Sequence, residues 1–91
     1  MDIEDITVYD DWIRERVRIN GSMSTTFKRL REKLKLTGDI IIINYICRRY
    51  KEEGAKVSEA QIRNMLVKSA EYRSTGLGKR AIFEDALARA K

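Results

Sequence analysis

The side chains of this sequence best placed to do chemistry at a surface are its lysines and arginines, and their spacing is uneven. Residues 1–13 carry five acids and no base. Residues 14–36 carry eight bases (Arg14, Arg16, Arg18, Lys28, Arg29, Arg31, Lys33, Lys35) against Glu15 and Glu32. Residues 37–54 balance and residues 55–91 are basic again, so the net charge of +5 hides a gradient. A basic block in a small domain is the footprint of a nucleic-acid binder, because neutralising a polyanion releases its condensed counterions. A solvated helical face has the same composition. Other chemistries are poorly supplied. The absence of histidine removes the ordinary zinc sets and the triads built on a histidine base. Cys47 has no second cysteine to pair with, and it reads as a core residue rather than a reactive thiol. Carboxylates are plentiful, but no pair stands in a recognisable catalytic setting. The expectation is therefore a protein that is not an enzyme, with no catalytic residue, no metal and no cofactor.

The elements that must position these cations belong to one small domain of 91 residues, too short for two independent cores. No run of about 18 apolar residues exists, so no membrane span is expected. The acidic opening Met1-Asp2-Ile3-Glu4-Asp5 does not read as a secretory signal, and a lone cysteine suits a reducing cytoplasm. Zero proline with 36% charged residues points to a mostly helical protein, for which a partner subunit is the remaining source of stability.

Along the chain, residues 1–13 form an acidic arm with Ile3, Ile6, Val8, Trp12 and Ile13 as its apolar members. Arg16, Arg18 and Asn20 then alternate with Val17 and Ile19, the period-two pattern of a half-buried strand ended by Gly21 and Ser22. The competing reading is a helix over 11–20. Phe27, Leu30 and Leu34 give helical period over 23–36, capped by Ser22 or Ser24. A second helix is expected over 39–53, apolar nearly all round through Ile40, Ile41, Ile42, Ile43, Tyr45 and Ile46 and stopped by Gly54 at C′. Four consecutive isoleucines also suit a strand, but the helical spacing continues to Tyr50. So apolar a helix is hard for a small monomer to bury and easier for an interleaved dimer. Ser58-Glu59-Ala60-Gln61 is a capping box opening a helix over 58–74, and residues 79–90 form a last helix with Phe83, Ala86, Leu87 and Ala90 on one face.

A basic alternating strand, a helix, a short turn and a more buried helix follow one another in a known order. On Arg16-Val17-Arg18-Ile19-Asn20, on the run from Phe27 to Asp39, and on Ile43-Asn44-Tyr45-Ile46-Cys47-Arg48-Arg49-Tyr50, residues 16–53 resemble the ribbon-helix-helix family of DNA-binding proteins. The resemblance implies a mainly α fold: a ribbon-helix-helix core of one short strand and two helices, intertwined as a dimer, here with two extra C-terminal helices. The division is then an acidic arm at 1–13, the dimerisation and DNA-binding core at 14–54, and a helical extension at 55–91. Paired strands of two chains would enter the major groove of double-stranded DNA. Arg16 and Arg18 would pair with guanine and Asn20 with adenine, while Val17 and Ile19 face the helices. Lys and Arg of the helix over 23–36, Lys28 and Arg29 first among them, and of the C-terminal helices would add phosphate affinity. Free N–H groups near Gly38 would meet a phosphate, although Asp39 departs from that role and suits a cap. A second register, with Ile6-Thr7-Val8 as the strand, would aim Asp5 at DNA and ranks below the first.

The implied function is sequence-specific binding of double-stranded DNA by a homodimer, as in transcriptional regulation, with plasmid partition or antitoxin roles on the same fold as alternatives. A higher oligomer through the C-terminal helices fits too. From another class, the chain is a helical interaction module whose basic faces meet an acidic protein. Gly76-Leu77-Gly78-Lys79-Arg80 reads as an ordinary helix–helix turn rather than a phosphate loop, since it lacks P-loop spacing. Trp12 reads as an anchor that packs the arm rather than as a base-stacking residue.

Overall fold

The structure, a computed structural model, describes residues 4–91. Residues 1–3, and with them Ile3 of the acidic arm, lie outside that description. A short 3-10 helix, Ile6–Tyr9, leads into α1 (Asp10–Arg18), followed by α2 (Met23–Lys33), α3 (Asp39–Glu52), α4 (Glu59–Leu66), α5 (Ala70–Ser74) and α6 (Lys79–Ala90). Among the described residues there is no strand.

The expected ribbon strand at residues 16–20 is therefore corrected. Arg16, Val17 and Arg18 are the last turn of α1, and the helix closes in a Schellman motif. Gly21 N–H donates to Arg16 C=O at 2.7 Å and Asn20 N–H to Val17 C=O at 3.0 Å, with Asn20 in the left-handed region at φ 57°. The reason lies in which apolar residues face inward. A strand would have placed Val17 and Ile19 on one face, but Val17 follows the buried Ile13 by four residues on the same helical face and packs against the core, whereas Ile19 is 51% exposed. Five alternating residues sat inside a longer helical pattern. The intertwined ribbon-helix-helix core implied by that strand falls with it, while the mainly α expectation stands. The 13/14 division runs through the middle of α1.

The isoleucine-rich helix is where it was expected, at Asp39–Glu52, and Gly54 ends it at φ +87° with Ala55 N–H on Tyr50 C=O and Gly54 N–H on Lys51 C=O, both at 3.0 Å. No second copy is needed to cover it. α3 packs most extensively on α6 and also on α1, α2, α4 and α5. Ile42, Ile43, Ile46 and Cys47 are fully buried among Ile13, Phe27, Leu30, Ile62, Met65, Leu66, Phe83 and Ala86. The C-terminal helices thus supply the cover that the sequence assigned to a partner. The chain as a whole makes a slab of 37 × 35 × 18 Å, thin enough for one central helix to be reached from most sides by its own chain.

The helix expected over 58–74 is two. Its capping box forms as read, with Ser58 Oγ accepting from Gln61 N–H and Gln61 Oε1 from Ser58 N–H. The break falls at Ser69, whose buried hydroxyl donates to Asp39 Oδ2 at 2.8 Å and accepts from Tyr72 N–H at 3.2 Å. Ser69 thereby caps α5 instead of extending the apolar stripe of α4.

Candidate nucleic-acid interface

Helix α2 presents the cations. Ser22 caps its N-terminus, Oγ accepting from Thr25 N–H at 3.1 Å. Met23, Thr26, Phe27, Leu30 and, just past the helix, Leu34 are buried at 3.6-residue spacing. That spacing leaves Lys28, Arg29, Glu32 and Lys33 on the outer arc, with Lys35 exposed in the turn that follows. Arg31 is taken into the fold: its guanidinium lies 5.1 Å from the Phe27 ring centre and donates to Lys68 C=O at 2.8 Å, tying α2 to the end of α4.

Apart from Glu32, the described acids sit elsewhere. Arg14 pairs with Asp11 and Glu53, Arg18 with Glu15, Arg48 with Glu52, Arg80 with Glu84 and Arg89 with Asp85. Arg49, 14% exposed, holds Glu52 and Glu53 at 2.9 and 2.7 Å and has Asp10 at 3.7 Å, which joins α1 to the end of α3. Asp10 also accepts from the Tyr45 hydroxyl. Asp5 caps the 3-10 helix, and Glu4 accepts from Thr37 Oγ1 at 2.7 Å. The described acids of the N-terminal arm are thus committed to α1, α3 and local turns, Glu4 lying against the turn that carries Lys35, and not to Lys28, Arg29 or Lys33. Among the described residues no carboxylate oxygen lies within 4.0 Å of the charged nitrogens of Lys28, Arg29, Lys33 or Lys35.

The sequence-predicted contacts divide accordingly. Lys28 and Arg29 lie together on the outer arc of α2. Arg16 turns inward: Nε donates to Thr26 Oγ1 at 3.1 Å and a terminal nitrogen to Ser22 C=O at 3.4 Å, while its guanidinium covers Gly21 so closely that a Cβ there would stand 2.4 Å from Cζ. Behind it Thr26 Oγ1 and Tyr50 OH are hydrogen-bonded at 2.8 Å, and Tyr50 OH donates to Gly21 C=O at 3.0 Å. Arg18 is held by Glu15, with Nε donating to Oε2 at 2.8 Å. Asn20 serves the left-handed turn. Gly38 is the N-cap of α3, but the helix start already faces carboxylates: Asp39 lies in its first turn, and a Cβ on Gly38 would come 3.3 Å from Glu71 Oε2. A phosphate there would meet like charge. At the Gly76–Arg80 turn, Lys79 leans over Tyr72 with its nitrogen 5.8 Å from the ring centre, and Arg80 is paired with Glu84.

Sequence reasoning counted Lys33 and Lys35 only among the cations of the helix over 23–36 and did not single them out, though Lys33 stands one turn beyond Arg29 on the same arc. It also passed over a groove between the N-terminal segment and α2. This groove, about 530 Å³ in volume, is lined by Tyr9, Trp12, Arg29, Leu30, Glu32 and Lys33, and its walls are mostly apolar. Tyr9 and Trp12, three residues apart, both pack against the core and remain partly exposed. Among the described residues there is no cluster of three histidine, cysteine, aspartate or glutamate side chains able to hold a metal ion. Cys47 is fully buried, and burial pushes its thiol up to about 12, which keeps it protonated. No helix among the described residues is long and apolar enough to cross a membrane.

No protein-family model matches this chain, and no curated protein or solved structure shows significant similarity to it.

Proposed function

We propose that the chain binds double-stranded DNA through the outer face of α2, with Lys28, Arg29, Lys33 and Lys35 as phosphate contacts. One observation carries the reading: Lys28, Arg29 and Lys33 share one exposed arc of α2, with Lys35 just beyond it, and among the described residues no carboxylate lies within 4.0 Å of their charged nitrogens. An exposed cationic face is kept at a cost in self-repulsion, and binding a polyanion relieves it while releasing counterions. Phosphate contacts of this kind fix position on the duplex, and the protein acts by occupying a stretch of DNA against competitors. The reading dispenses with a β-ribbon.

The test is a titration of labelled duplex at low and rising salt. Replacing Lys28, Arg29, Lys33 and Lys35 together by Gln should weaken binding at least tenfold. It should also flatten the plot of log affinity against log salt by roughly 0.9 for each contact removed. Wild-type affinity in that variant, or no duplex binding at low salt, would refute the proposal. A second reading, docking on another protein, is favoured by Ile41, which is 62% exposed and lines a shallow groove with Tyr45, Arg48 and Arg89. That reading predicts duplex indifference and loss of a protein partner in Ile41→Asp.

A further inference from the structure

We infer that the groove between Trp12 and α2 accepts an unpaired nucleobase whose neighbouring phosphate rests on Arg29 and Lys33. The inference deepens the DNA-binding reading and rests on it, since both use the same face of α2.

Three features select this ligand chemistry. The walls include Trp12, Tyr9 and Leu30, apolar and aromatic side chains against which a base of any identity can stack. The rim carries Arg29 and Lys33, one turn apart on α2, with no carboxylate within 4.0 Å among the described residues. Glu32, also on the rim, can accept an N–H from a base edge. The volume of about 530 Å³ lies in the range, roughly 300–1,000 Å³, of clefts that hold small ligands. In two other grooves the aromatic rings are already covered by the chain's own cations: Arg63 lies over Phe83 at 4.0 Å and Lys79 over Tyr72, with Arg80 paired with Glu84, and Arg48, paired with Glu52, lies over Tyr45 at 5.0 Å. Among the described residues no cation covers the ring of Trp12 or Tyr9. Aromatic faces and available cations therefore coincide at this groove, where a base and its phosphate can be met together.

Trp12 is the only tryptophan, so its emission reports on the groove directly. The probes are a blunt duplex and the same duplex carrying a short single-stranded tail, each followed by anisotropy of a labelled strand and by tryptophan fluorescence. The tailed duplex should quench Trp12 and bind roughly fivefold or more tightly than the blunt one, the lower end of what one stacked base contributes. Trp12→Leu, with folding checked by a thermal melt, should bring the two duplexes to equal affinity, and Trp12→Phe should keep the preference. Equal affinity and unchanged emission in the wild-type chain would overturn the inference while leaving duplex binding in place. No binding of either probe at low salt would remove both. Quenching by a Glu- and Leu-rich peptide that displaces the tailed duplex would assign the groove to an acidic peptide instead.

Discussion

Two side chains on α3 show how position within the fold sets acidity. The Tyr45 hydroxyl is partly buried and donates to the Asp10 carboxylate, and burial together with that bond pushes it from its ordinary 10.0 up to about 12. Burial pushes the Cys47 thiol from 9.0 up to about 12. Each folded value is above the unfolded one, so between the two values the native state holds a proton that the unfolded chain has lost. Their contribution is fully present below about pH 9 and is lost as pH rises towards 12. Denaturant midpoints measured across that window should fall, and Tyr45→Phe should flatten the part above pH 10. A midpoint constant from pH 9 to 12 would contradict this account. At the same scale the sequence was a good guide to type and a poor one to direction. Arg16 is a polar side chain on a basic segment, and nothing in its neighbours announces that Gly21 leaves it space to fold back onto Ser22 and Thr26. Lys28 and Arg29 were easier, because Phe27, Leu30 and Leu34 already define which way α2 must face.

At the scale of elements, local signals placed most boundaries. Ser22, the Ser58–Gln61 box and Gly54 all act where their residue types predict. The two errors share a cause: a short local pattern competed with a tertiary one and lost. Alternation over 16–20 gave way to the Ile13–Val17 face, and the stripe through Ser69 gave way to its bond with Asp39, thirty residues earlier. The turn between α1 and α2 offers a direct check. Asn20 sits at φ 57°, where a side chain branched at Cβ is strained by about 1–2 kcal/mol. Asn20→Val should lower stability by that amount in a denaturant titration, and Asn20→Gly should be close to neutral. If residues 16–20 were a strand paired with a neighbour, the order would reverse, because Val favours strands and Gly weakens them.

At the scale of the whole molecule, one core joins both ends of the described chain. Ile13, Phe27, Ile43, Ile62 and Phe83 belong to a single buried cluster, and α6 forms the most extensive cover on α3. Truncation after Gly76 removes that cover and exposes the inner face of α3. The shortened chain should lose its cooperative melt and bind a hydrophobic dye, whereas a C-terminal part that were merely an appendage to a 14–54 core would leave the melt intact. Charge follows the same plan. Ion pairs gather at α1, α3 and α6, and α2 is left as the basic face.

The sequence by itself determined that the chain is mainly helical, where the two central helices begin, and which face of α2 carries its cations. These follow from composition, caps and 3.6-residue periodicity, which act over a few residues. Only the tertiary structure decided that α6, not a second copy, covers the isoleucine helix. It alone separated the committed arginines from the available ones and opened a groove between Trp12 and α2. Each of those depends on which distant residues meet, and helical periodicity says which way a face points without saying what it will touch.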